Sequence, residues 1–244
     1  MKYALFSFFV VMILLQAQKK EQPKPISDTQ VVADSLPFLS EPVFRRPAPA
    51  INGLTLVAPP EPFHENPMPA IQNVGANWIA CVPYGFTRPN TPNVRYHESG
   101  NQWWGEGPAG VRETVRLAHE AGIKVMVKPQ VWIPGGWTGA LDFPTDSAWG
   151  AWEQSYERYI LRFARLADSV KADMFCIGTE FNTSIGKRPQ FWFNLISKVK
   201  TAYHGKLTYS ANWDDWDKVP FWNELDYIGL GGYFPLVDAA LPDI

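Results

Sequence analysis

Glu180 is the residue in this sequence best placed to do chemistry. It closes the run Met174-Phe175-Cys176-Ile177-Gly178-Thr179-Glu180, which has the character of a buried strand with a side-chain period of two. If Phe175 and Ile177 face one layer, Cys176, Gly178 and Glu180 face the other. A carboxyl at such a strand end, beside aromatics that exclude water, is held towards its proton-bearing form, as a general acid requires. The competing reading is a structural carboxylate paired with Lys128 or Arg88. Lys128 ends another strand-like run; it is read equally as a partner for a ligand hydroxyl, an influence on Glu180, or an ion-pair partner. Asp214 and Asp215 follow a further apolar run and read as ligand-binding acids or as solvated loop acids. Asp226 begins a run and reads as structural.

Tryptophan is the second signal. The chain has 11 Trp, 9 Tyr and 15 Phe. Trp103, Trp104, Trp132, Trp137, Trp213 and Trp216 all fall in segments that follow predicted strands, as do Asn182, Asn212, Tyr233 and Phe234. A core role predicts Trp on buried stripes; a cleft for sugar rings predicts aromatic platforms in the loops.

The elements that would position these residues alternate. Strands are predicted at 51–57, 78–84, 123–128, 174–178, 207–211 and 226–231. Between them the periodicity predicts a short helix after Asn66-Pro67, a helix over 108–121, a long helix capped by Asp146 or Ser147, and a helix opened by Pro189 and ending at Gly205. A short segment covers 219–224. Strand and helix in alternation argue for parallel βαβ units. An open doubly wound sheet would carry a Gly-rich turn after its first strand, where this chain has Ala58-Pro59-Pro60-Glu61-Pro62. The expected fold is therefore an α/β chain forming a (β/α)8 TIM barrel with six of its eight units present. In such barrels the site lies at the C-terminal ends of the strands. A six-strand sheet with two open edges is expected to be poorly stable or to aggregate on its own.

Composition narrows the remainder. A net charge of -2 with no basic block disfavours nucleic acid. The four His are scattered and no metal-binding motif is present, so neither a metal nor another cofactor is expected. Lys2 followed by the apolar stretch 4–15 and Leu15-Gln16-Ala17 reads as a signal peptide over 1–17, with no stable membrane span after its cleavage and an exported product. Residues 18–50, rich in Pro, Gln, Lys and Ser, read as a disordered leader to a barrel over 51–244. Cys81 and Cys176 lie in separate apolar runs and read as two buried thiols, although a disulfide is permitted.

Lys128-Pro129-Gln130-Val131-Trp132, Gly178-Thr179-Glu180, Ser210-Ala211-Asn212-Trp213-Asp214 and Asp226-Tyr227-Ile228-Gly229-Leu230-Gly231-Gly232-Tyr233-Phe234-Pro235 together resemble glycoside hydrolase family 113, a family of β-1,4-mannanases on a (β/α)8 barrel. The resemblance implies a retaining mechanism with two Glu, at the ends of barrel strands four and seven. Glu180 matches the first, the acid/base; the sequence ends before a match to the second, the nucleophile, so this chain by itself is expected to fail at the attack step. Thr179 stands where many related barrel hydrolases have Asn. The expected ligand is a β-linked polysaccharide or oligosaccharide, held by Trp103, Trp104, Lys128, Trp132, Trp137, Asn212, Trp213, Asp214 and Tyr233. The alternative is a non-catalytic carbohydrate-binding protein on a degenerate barrel.

Overall fold

A computed structural model describes residues 50–96 and 102–234. The predicted signal peptide, the leader up to residue 49, His97 and everything from Pro235 onward lie outside the described residues.

Six strands, all parallel, form the main sheet: β1 (Gly53–Leu56), β2 (Trp78–Cys81), β4 (Lys124–Val127), β6 (Met174–Thr179), β7 (Lys206–Asn212) and β8 (Tyr227–Gly231), in that spatial order. Sequence order and spatial order coincide, as in a barrel and unlike a doubly wound sheet. These are six strands of a (β/α)8 barrel, with β1 and β8 at the edges among the described residues. Two short strands, β3 (Tyr84–Phe86) and β5 (Gln130–Trp132), make a second parallel pair beyond β2 and β4. The sequence suggests one strand over 78–84, but Pro83 and Pro129 stand at the break. Proline lacks the N–H a ladder needs, so each strand splits there, while Gln130 N–H still donates to Pro83 O at 3.1 Å across the gap.

The helices are α1 (Met68–Asn73), α2 (Pro108–Glu120), α3 (Asp146–Ser169), α4 (Asn182–Lys187) and α5 (Pro189–Ala202). Gly75 and Gly122 take left-handed φ values of 74° and 70° just past α1 and α2, where a residue with a side chain would be strained. The cap of α3 is Thr145, rather than Asp146 or Ser147: its backbone is extended and its hydroxyl accepts from Ala148 N–H at 3.2 Å. Asp146 instead meets Arg188 from the first turn at 2.9 Å. The α3 stripe Trp149, Trp152, Tyr156, Tyr159 and Phe163 is buried in one core cluster with Phe181 and the α5 residues Trp192 and Leu195, where Trp152 and Tyr156 meet Phe181 and Tyr156 meets Trp192. Each such side chain contributes about 1.5–3 kcal/mol of burial. Three of the 11 Trp, Trp149, Trp152 and Trp192, thus belong to the core.

One device recurs at the N-terminal edge of the sheet. The residue just before a strand accepts the amide of the neighbouring chain: Asn77 Oδ1 from Asn52 N–H at 2.8 Å, Asp173 Oδ2 from Val125 N–H at 2.9 Å, and Asp226 Oδ2 from Leu207 N–H at 2.9 Å. Each residue fixes the register between two adjacent strands. Burial raises the Asp226 carboxyl, but the Lys206 ammonium and the Leu207 amide outweigh it and hold the group below the usual carboxylate range.

The sheet separates two interiors. Cys81, Phe175 and Ile177 pack towards the helices, while Ala80, Met126, Met174 and Cys176 form an axial cluster inside the barrel curve. Cys81 and Cys176 are therefore buried free thiols on opposite faces. Burial pushes the Cys81 thiol up to about 12.

Candidate active site

Glu180 reaches the C-terminal edge of the sheet by a route that strict alternation does not give. The β6–β7 register slips between Cys176 and Thr179, a bulge that changes which face the following residues present. Gly178, expected to face the axis, faces the helices: a Cβ there would lie 2.9 Å from the Trp192 ring and 3.0 Å from Tyr156 Oη. Only glycine lets the strand approach that layer so closely. The bulge takes its carbonyls out of the ladder, and side chains satisfy them. Ile177 O accepts from Tyr156 Oη–H at 2.9 Å, Gly178 O from the Cys176 thiol at 3.2 Å, and Thr179 O from Thr138 Oγ1–H at 3.3 Å.

Glu180 then adopts φ 56°, a left-handed backbone that costs a residue with a side chain about 1–2 kcal/mol. Two bonds hold it there: Glu180 N–H to Ser210 O at 2.8 Å and Phe181 N–H to Tyr209 Oη at 2.6 Å. The half-buried carboxylate turns into the mouth, where Oε2 accepts the Trp137 indole N–H at 2.7 Å. Its other oxygen lies over Gly231, where a Cβ would come within 3.3 Å of Oε1 and 3.6 Å of the Tyr233 ring. Among the described residues neither Lys128 nor Arg88 forms an ion pair with Glu180.

Trp137 is positioned in its turn by the 3-10 turn Thr138–Ala140. A Cβ on Gly139 would sit 2.3 Å from the indole ring, so that ring lies flat on the glycine. Thr183 Oγ1–H from α4 donates to Gly139 O at 2.7 Å. The short helix α4, absent from the sequence reading, thus ties the turn that carries Trp137 to the segment just after Glu180.

A carboxyl held by an indole N–H thus stands at the C-terminal edge of a parallel barrel sheet, the edge where barrel enzymes carry their sites. The chain matches the family model for Glycoside Hydrolase Family 113 over residues 61–242. It is a member of glycoside hydrolase family 113. The family 113 β-mannanase AaManA from Alicyclobacillus acidocaldarius, solved in complex with ManMIm, is 27% identical, with 76% of this chain and 62% of that one covered at a TM-score of 0.67. A family 113 β-1,4-mannanase solved as a complex is 26% identical, with 69% and 55% covered at a TM-score of 0.61. The chain spans less than two thirds of the length of these relatives. A search of curated proteins gave no match.

In this family 113 chain the other predicted site residues are distributed as follows. Trp103, Trp132, Trp137 and Tyr233 are exposed at 47%, 54%, 45% and 54%, unlike the fully covered indoles of the core. Trp132 ends β5 and meets Tyr84 edge-on; Trp213, half-buried after β7, meets Phe234 edge-on. Trp104 is half-buried with its ring edge-on to Phe63, and its backbone N–H donates to Pro60 O at 3.0 Å, so packing accounts for part of its surface. Asn212 ends β7 and donates to Asp214 at 2.6 Å. Lys128 is half-buried and turned to the axis, where it acts on Cys176.

Two features were not visible in the sequence. Asp215 accepts from Asn182 of α4 and from Lys218, closing one side of a cavity of about 80 Å3 that Tyr209 and Asn212 also line. That volume is far below the several hundred Å3 of a typical ligand pocket, and Glu180 does not line it. Glu106 is buried in the 3-10 turn Trp104–Glu106. Burial raises its carboxyl above the usual range, against a hydrogen bond from Gln102, and Glu106 in turn adds to the burial that raises Tyr84. Among the described residues no group of His, Cys, Asp and Glu is gathered to hold a metal ion, and no helix is long and apolar enough to cross a membrane.

Proposed function

We propose that this family 113 protein cleaves β-1,4-linked, mannan-type polysaccharide with retention of configuration, and that Glu180 is its acid/base. The observation that carries the reading is the Trp137 indole N–H on Glu180 Oε2 at the C-terminal end of β6. It fixes one oxygen and leaves the carboxyl directed into the mouth. In the first step protonated Glu180 gives its proton to the glycosidic oxygen as the bond to the anomeric carbon breaks. A carboxylate about 5 Å away attacks that carbon and forms a glycosyl-enzyme. In the second step the Glu180 carboxylate takes a proton from the water that releases the sugar. The attacking role is assigned to no described residue. Trp103, Trp132, Trp137, Trp213 and Tyr233 would serve as stacking surfaces, and Asn212 and Asp214 as hydrogen-bond partners for sugar hydroxyls. Residues 1–17 support export to the periplasm, the cell surface or the medium.

Glu180→Gln tests the assignment in a form of the protein that hydrolyses mannan. Loss of the acid should cost roughly 10^2–10^4-fold on unactivated β-mannan, and far less in the glycosylation step of a substrate with an activated aryl leaving group. Equal losses on both, or no loss on mannan, would remove Glu180 from the role.

A further inference from the structure

Thr179 Oγ1 is the buried side-chain polar atom among the described residues that has no hydrogen-bond partner. The residue is 5% exposed and immediately precedes Glu180. Its polar neighbour among the described residues is the Cys176 sulfur, on which the hydroxyl acts to lower the thiol, but that thiol donates to Gly178 O, and sulfur is a weak acceptor. Buried hydroxyls in native proteins are nearly always paired, so an unpaired one calls for an explanation.

Two more polar side chains share its face. Tyr209 and Ala211 pack towards the helices, so alternation turns Ser210, the register partner of Thr179, to the axis. On β4, Val127 packs towards the helices and Met126 is axial, which turns Lys128 to the axis as well. Its proximity to the axial Cys176 agrees: burial raises that thiol and the Lys128 ammonium works against the rise. Neither the Ser210 hydroxyl nor the Lys128 ammonium has a hydrogen-bond or ion-pair partner among the described residues. Strands β4, β6 and β7 are neighbours in the sheet. One ammonium and two hydroxyls, with no oxygen or nitrogen partner among the described residues, therefore face the axis from three adjacent strands, towards the C-terminal ends that lead to Glu180.

We propose that Lys128, Thr179 and Ser210 form the floor of the sugar site and take the ring hydroxyls of the sugar seated against Glu180. The inference rests on the carbohydrate reading above and adds the residues that orient the ring. Sugar hydroxyls suit this floor because they both donate and accept: they can accept from the ammonium and exchange hydrogen bonds with two alcohols. An anion suits it less, since the Glu180 carboxylate overlooks the same space.

The test is calorimetric titration of the full chain with β-1,4-mannotriose, set beside thermal unfolding, for the wild type, Thr179→Val, Ser210→Ala and Lys128→Met. Thr179→Val removes a hydroxyl with at most a weak contact to the Cys176 sulfur to lose in the free protein, so its Tm should hold or rise while binding weakens about 2- to 10-fold. Ser210→Ala should weaken binding to a similar extent. Lys128→Met should weaken it roughly 10- to 100-fold, as expected for a charged donor. If the wild type binds mannotriose and all three variants bind within about twofold of it, the floor assignment is wrong and the family reading stands. A fall in Tm for Thr179→Val with unchanged binding would likewise make Thr179 purely structural. If the wild type itself binds no mannotriose, the carbohydrate reading fails and the floor with it.

Discussion

Replacing Tyr209 by Phe tests how the backbone at Glu180 is held. The Tyr209 ring is fully buried and packs on Trp192, Phe221 and Trp222 at centroid distances of 5.6, 5.4 and 6.0 Å. Phe preserves those contacts, so almost no apolar burial is lost. What disappears is the 2.6 Å bond that Phe181 N–H donates to Tyr209 Oη. Phe181 is 1% exposed, so no water can easily replace the acceptor, and an orphaned buried N–H costs about 1–3 kcal/mol. That exceeds or equals the 1–2 kcal/mol, roughly, stored in the left-handed backbone at Glu180, so the bond is enough to hold the strained residue. For a domain of this size the loss should lower Tm by about 2–12 °C, read by circular dichroism, with the denaturant m-value unchanged because the same surface is buried. Oligosaccharide binding should weaken as well, because Glu180 is freed to relax towards ordinary φ. A Tm within about 1 °C of the wild type would refute the idea that this hydroxyl fastens the segment at Glu180.

Gly139→Ala should displace the Trp137 indole, since the new Cβ would sit 2.3 Å from its ring. The half-exposed ring can move outward, so stability should change by no more than about 1–3 kcal/mol, while the indole N–H resonance of Trp137 shifts in a 15N-resolved NMR spectrum as its bond to Glu180 is lost; an unmoved resonance would contradict the packing. Glu106→Gln should alter the pH dependence of stability. Burial raises the folded-state value of Glu106, so the folded protein keeps its proton after the unfolded chain has ionised, and stability falls as pH rises through that window. In urea melts from about pH 4 to about pH 8, the advantage of Gln over Glu should grow with pH and then level off; a constant difference would show that Glu106 titrates normally.

Much of this molecule is written in local pattern. Alternating apolar runs and helical stripes locate all six barrel strands and the long helix over Trp149, Trp152, Tyr156, Tyr159 and Phe163, because periods of 2 and 3.6 are properties of the chain itself. The same patterns distinguish the tryptophans of helical stripes from those expected in loops after strands: Trp103, Trp132 and Trp137 are exposed, although Trp132 ends a short strand rather than lying in a loop, and Trp104 and Trp213 are half-buried. The family motifs around Lys128, Glu180, Asn212 and Tyr233 are contiguous, so they too are legible without coordinates.

The way Glu180 arrives at the mouth is not legible. Strict alternation turns both Gly178 and Glu180 to the axis. The structure turns Gly178 to the helices and brings Glu180 into the mouth through a bulge and a left-handed φ. A bulge is chosen by the partners waiting for its carbonyls and amides, here Tyr156, Thr138 and Tyr209, which come from distant parts of the chain. The same holds for the indole N–H of Trp137, 43 residues from the carboxylate it meets, and for the register-setting bonds of Asn77, Asp173 and Asp226. The sequence by itself determined the main strands and the longer helices, since their periods depend on neighbours a few positions away, but not the short helix α4 or the split strands. Only the tertiary structure decided which polar groups find partners and which, like Thr179 Oγ1, do not, because each hydrogen bond depends on two groups whose meeting is set by how the whole chain folds.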